Sequence, residues 1–138
     1  MLNIGFYSFA QNQVMGFACG PSTFPTTVVS DFGKLIIDGK YDEIKNELTS
    51  LDPGEQFLAV VVLEELVTIE QITLSRHDIA RIKTIKKSKS IVETCSGVDP
   101  NVEYRLKDLL KKKKQHYILK YTKFWFNECL KKQKAKDF

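Results

Sequence analysis

Ser75, His77 and Asp78 carry the letters of a nucleophile, base and acid triad. Such a triad needs a hydroxyl, an imidazole and a carboxylate arranged in series around one reacting atom. Three groups within four consecutive residues at a helix start cannot do that. The spacing suits a helix cap instead, in which Ser75 caps the helix and Asp78 reaches back three residues as its box partner. Glu64 and Glu65 are adjacent, so on a helix they point about 100° apart. They read as the polar edge of a helix and not as a carboxylate pair. His116 could meet a cysteine only through a tertiary contact that the spacing does not specify. The chain has no Cys-x-x-Cys, no His-Glu-x-x-His and no phosphate-binding glycine loop. We therefore expect a non-enzymatic protein with no catalytic residues, no cofactor and no metal site.

Lys111, Lys112, Lys113 and Lys114 run into His116, Tyr117, Tyr121, Phe124, Trp125 and Phe126. Cations interleaved with aromatics can track phosphates and stack on bases, or form an amphipathic helix on an anionic membrane. A helical wheel puts Tyr117, Ile118, Tyr121, Phe124, Trp125 and Cys129 on one arc. Leu119, Phe126 and Leu130 widen it to roughly 240° at 3.6 residues per turn. An apolar arc that wide predicts a packed core helix with a lysine-rich outer edge.

The elements that would position these groups are helical. Residues 52–67 open with Asp52 as a cap, Pro53 at the first position and Glu55 as the box acid. An apolar run too wide for a surface helix follows, so this element should lie at the centre of the fold. Before it, Val28, Val29, Phe32, Leu35 and Ile36 predict a helix over 25–38 that stops at Gly39. Tyr41, Ile44, Leu48 and Leu51 predict inward positions on a helix over 41–50. After it, a helix capped by Ser75 carries Ile79, Ile82 and Ile85 as its apolar stripe and Arg81, Lys83, Lys86 and Lys87 on its back. Residues 88–100 read as a loop. A helix starting near 101–103 should bury Tyr104, Leu106, Leu109 and Leu110, and the last helix covers 114–133, with no breaker between the two. The expected fold class is all-α: one domain over 11–138, a bundle of five to six helices with HEAT-like antiparallel hairpins.

The 138 residues hold an ordinary share of apolar side chains, and no run approaches the ~20 needed to span a bilayer. Residues 1–75 carry three lysines against ten acids, whereas residues 76–138 carry eighteen Lys and Arg against seven acids. The halves can attract each other, or present two faces to different partners. The candidate binding surfaces are an acidic one around Asp42, Glu43 and Glu47 and a basic one at Lys111, Lys112, Lys113 and Lys114. Ser8-Phe9-Ala10 has the small-x-small form of a signal-peptidase site. We expect residues 1–10 to be a signal-peptide remnant and the mature chain to start near Gln11; an ordinary terminus is the alternative. Cys19 and Cys95 sit in loop-like contexts, and a disulfide between them would close a long loop worth about 4 kcal/mol. Cys129 sits in a helical pattern as a buried thiol. Three cysteines leave the pairing open, and three reduced thiols in a cytosolic protein remain the alternative.

The order Phe17-Ala18-Cys19-Gly20-Pro21-Ser22, a helix ending at Gly39-Lys40-Tyr41-Asp42, the block from Asp52-Pro53-Gly54-Glu55 to Leu66, and Thr94-Cys95-Ser96-Gly97 resembles small exported proteins of Bacteroidetes bacteria. The likeness covers roughly residues 16–110. Where the related pattern often carries a second cysteine after Cys-Ser-Gly, this chain has Val98. The resemblance implies export and a helical fold, not a reaction. The expectation is a periplasmic or secreted protein-binding module, immunity-like in acting through charged surfaces. A nucleic-acid- or anionic-surface-binding protein using the basic half is the alternative.

Overall fold

The computed structural model describes residues 13–137; the expected cleavage site at Ser8–Ala10 and the start near Gln11 lie outside them. The element order is α1 (Thr27–Ile37), α2 (Tyr41–Asn46) running into a 3-10 turn (Glu47–Thr49), α3 (Pro53–Thr68), α4 (Arg76–Lys86), β1 (Ile91–Thr94), β2 (Val102–Arg105), the single-turn α5 (Leu106–Leu109) and α6 (Tyr117–Lys136). Among the described residues the protein is mostly helical, with one small sheet.

Asp52 and Pro53 start α3 as expected, but Glu55 does not close a capping box, because Ser50 takes the Asp52 N–H in its place. Asp52, 4% exposed, accepts from the Glu55 N–H at 3.0 Å through one carboxylate oxygen and from the Gln13 N–H at 2.9 Å through the other. Ser50 donates to Glu55 Oε1 at 2.6 Å and accepts from the Asp52 N–H at 3.0 Å. Every residue from Phe57 to Leu63 is buried, as is Leu66. A helix apolar on all sides has to be surrounded, and α1, α2, α4, α5, α6 and β1 all pack on α3.

Gly39, at φ +70°, ends α1 in the left-handed region. Its N–H donates to the Ile36 carbonyl and the Lys40 N–H to Leu35, the paired bonds that close a helix end at a glycine. Glu70 occupies the same position after α3 at φ +60°, with the Gln71 N–H donating to Leu66. At the far end of α6, Gln133 Nε2 donates to the Ile36 carbonyl and to Tyr41 Oη, both at 2.8 Å, and Lys136 pairs with Asp38. This ties α6 to the α1–α2 corner. Two ion pairs, Lys86–Glu64 at 2.6 Å and Lys136–Asp38, join the basic half of the chain to the acidic half.

Several expectations need correction. The fold is not purely all-α: β1 and β2 form an antiparallel pair with Ile91 opposite Arg105 and Thr94 opposite Val102. Thr94 Oγ1 also donates to the Val102 carbonyl at 2.8 Å. The strand therefore takes residues assigned to a loop, and β2 takes the expected start of the fifth helix. Leu106, Leu109 and Leu110 are buried as expected, while Tyr104 is half-buried on β2. Lys111–Lys114 form a turn, so α5 and α6 are separate; Gln115 at φ +42° redirects the chain. Leu51 is 90% exposed and Ile79 44% exposed, so neither faces inward.

Candidate functional site

Three stretches of chain meet at the Cys19–Cys95 disulfide, whose Cα atoms are 5.6 Å apart. Residues 15–20 lie alongside 93–97. The Met15 N–H donates to Glu93, the Cys95 N–H to Met15, the Gly97 N–H to Ala18 and the Gly20 N–H to Gly97. Thr26, just before α1, exchanges backbone and hydroxyl hydrogen bonds with Gly16. Gly16 has no room for a side chain: a Cβ would sit inside the van der Waals radii of both sulfurs and 2.6 Å from the Cys95 carbonyl oxygen. A stretch without regular structure is thus held by backbone ladders, one covalent link and one obligatory glycine.

The first half of α6 lies against this clasp. The helix buries Ile118, Leu119, Thr122, Phe126 and Cys129. Tyr117, Tyr121 and Phe124 are 61%, 48% and 56% exposed, which corrects the expectation that their arc is core. One side of α6 packs on the domain, and the aromatics at 117, 121 and 124 share the other (positions i, i+4 and i+7). Phe17 joins them, its ring 5.2 Å from Tyr121 and 5.4 Å from Trp125, and Tyr121 lies 6.0 Å from Phe124. The row continues through His116, stacked on Tyr117 at 4.9 Å and edge-on to Tyr104 at 4.6 Å. A hollow of about 110 Å³ opens between the clasp and the helix, lined by Phe17, Ala18, Cys95, Ser96, Tyr117 and Tyr121 among others. Phe24 and Val98, 70% and 78% exposed, stand in the stretches paired with Cys19. The sequence reading missed Phe17 and Tyr104 as members of this surface; aromatic type at Phe17, two residues before Cys19, was the one local signal.

The catalytic letters do not assemble. Ser75 accepts from the Asp78 N–H at 3.0 Å and Asp78 from the Ser75 N–H at 3.1 Å, a reciprocal cap that occupies both, while His77 is exposed. His116 Nδ1 accepts from the Ile118 N–H at 3.1 Å and so caps α6, and burial lowers its pKa. Beside it, a hydrogen bond with Tyr104 is the main cause of a raised Tyr117 pKa. Burial pushes the Cys129 thiol up to about 11, which leaves it an inert core group. Among the described residues no cluster of His, Cys, Asp and Glu could hold a metal ion.

The acidic candidates lie on α2 and the turn after it, the basic ones in the turn before α6. Asp42 and Glu43 are exposed, each 3.9 Å from a nearby lysine (Lys45 and Lys40). Glu47 is half-buried, and its pKa is raised by burial first and by neighbouring Glu55 second. Lys111, Lys112, Lys113 and Lys114 are all exposed in the turn that leads to His116. Among the described residues, no helix is long and apolar enough to cross a membrane.

No family model matches this chain, and no curated protein and no solved structure matches it either.

Proposed function

We propose that this protein is a small exported, non-enzymatic recognition module that binds another protein. Its principal contact surface is the aromatic row on α6 and the disulfide clasp beneath it. The observation that carries this reading is the exposure of Tyr117, Tyr121 and Phe124, with Tyr121 in contact with both Phe17 and Phe124. Exposed aromatics that touch one another on a rigid base supply large contact area at little cost in side-chain entropy. Protein interfaces concentrate their binding energy in such residues. The disulfide supports export, because such links persist in oxidising compartments, and the resemblance to exported Bacteroidetes proteins points the same way. The pairs α1/α2 and α3/α4 we read as HEAT-like hairpins. The acidic residues Asp42, Glu43 and Glu47 would make a second, electrostatic contact in an immunity-like mode.

The test is affinity capture from an envelope extract. Tyr121→Ser/Phe124→Ser is compared with wild type and with Glu43→Lys/Glu47→Lys, all checked for unchanged melting. The captured protein is then purified and titrated directly. The aromatic variant should weaken binding at least tenfold, the charge variant less. An aromatic variant that binds as wild type would end the proposal.

A second reading has its own observation: all four lysines of the 111–114 turn are exposed and run directly into the aromatic row. Single-stranded nucleic acid would place phosphates on the former and bases on the latter. That reading requires affinity that falls steeply with salt, and a flat filter-binding curve at low salt would eliminate it.

A further inference from the structure

Five lysines from two separate stretches of chain ring one hollow. Lys86 and Lys87 come from the end of α4, Lys107 from α5, and Lys111 and Lys112 from the turn that follows; Leu110, 5% exposed, lies among them. The hollow measures about 430 Å³, and among the described residues no carboxylate lines it. Glu64 reaches Lys86 at 2.6 Å, and Asp108 is held by Arg105 at 3.0 Å. Lys87, Lys107, Lys111 and Lys112 have no ion-pair partner among the described residues.

The fold accounts for only part of this gathering: Glu64 pairs with Lys86, and Arg105 first, with Lys107 and Lys111 after it, holds the Asp108 carboxyl below its usual range. A helix C-terminus favours cations within its last turn, which covers Lys86 and its neighbour. It does not explain why the run 107–112, with Lys107, Lys111 and Lys112, is brought beside that helix end. Like charges collected by tertiary folding repel one another and oppose the compact state. A bound anion removes that penalty.

The surroundings narrow the anion. A carboxylate side chain brings one negative charge on a whole residue, whereas a phosphate group brings about 1.5 to 2. Answering the four lysines without an ion-pair partner within this volume calls for the higher charge density. Among the described residues no aromatic side chain lines the hollow, so they offer no stacking surface there for a nucleobase. Lysines act as mobile point charges, without the fixed fork by which arginine grips one planar group. We propose that this hollow binds clustered phosphates, a short linear oligophosphate, as a site separate from the aromatic face and independent of its role.

Calorimetric titration of the full chain with sodium tripolyphosphate tests the proposal. It should show one site per chain, with affinity that falls log-linearly as salt rises. Lys107→Ala and Lys111→Ala should each weaken binding about five- to tenfold, and Lys120→Ala on α6 should leave it unchanged. Amide shifts in the wild-type protein should cluster at 86–87 and 107–112, a readout that needs no variant to fold. The proposal is overturned by no binding at low salt or by shifts that map elsewhere. It is equally overturned if hexaglutamate binds as tightly, which would make the hollow a carboxylate surface. Tighter binding of oligo-dT that depends on Tyr121 would overturn it in favour of nucleic acid.

Discussion

Removing the Cys19–Cys95 link by Cys19→Ala/Cys95→Ala tests how much of this fold depends on one bond. The two cysteines are 76 residues apart. In the chain-entropy model, a loop of that length restricts the unfolded chain by about 4.5 kcal/mol. A domain of this size has about 5–15 kcal/mol of net stability, so the loss is a large share of it. With a urea slope of about 2 kcal/mol per molar, the unfolding midpoint should fall by about 2 M. Far-UV circular dichroism reports the helices. The emission of Trp125, 5.4 Å from the Phe17 ring, reports the clasp. Gly16→Ala extends the test. Its Cβ overlaps both sulfurs and the Cys95 carbonyl oxygen, so with the disulfide intact it should cost at least about 2 kcal/mol. In the double-alanine background the sulfurs are gone and part of that cost should disappear, while the carbonyl contact retains the rest. Midpoints that coincide within about 0.3 M with and without the disulfide would refute the loop argument. A Gly16→Ala cost equal in both backgrounds would refute the packing argument.

Asp52→Ala leaves the N–H groups of Glu55 and Gln13 without their acceptor and should cost about 2–4 kcal/mol in denaturant unfolding. Gly33→Ala should stabilise by up to about 1 kcal/mol, because the new Cβ would meet Cys129 Sγ and Trp125 at an ordinary 3.7 Å in mid-helix. His116 caps α6 through a neutral Nδ1 and has a folded-state pKa below its usual 6.5. Its contribution to stability should be complete above that value and lost as pH falls through the folded pKa. Amide exchange in the first turn of α6 should accelerate over that interval in wild type and not in His116→Asn.

The aromatic row shows why a helical wheel overstates burial. The wheel counts side-chain types, but the buried side of α6 is set by what packs on it, and α1 and α3 cover one side of the helix only. The sheet was missed for a related reason. Val102–Arg105 alternates apolar and polar but Ile91–Thr94 does not, and four-residue strands gain little until they pair and cover a core. The leucines at 106, 109 and 110 extended a helical spacing back across the second strand.

From sequence alone came whatever neighbouring residues settle among themselves: the Asp52 cap and Pro53 start of α3, the Ser75–Asp78 box, the Gly39 stop and the central place of an all-apolar helix. The caps and the stop depend on backbone groups within one turn, where side-chain chemistry suffices, and the central place follows from an apolar circumference that a single helix displays. Tertiary structure alone decided which aromatics of α6 face outward, how five lysines from residues 86 to 112 come to share a hollow, and why Gly16 admits no side chain beside a bond formed across 76 residues. Those outcomes depend on distances between segments far apart in the chain, and spacing along one segment carries no information about them.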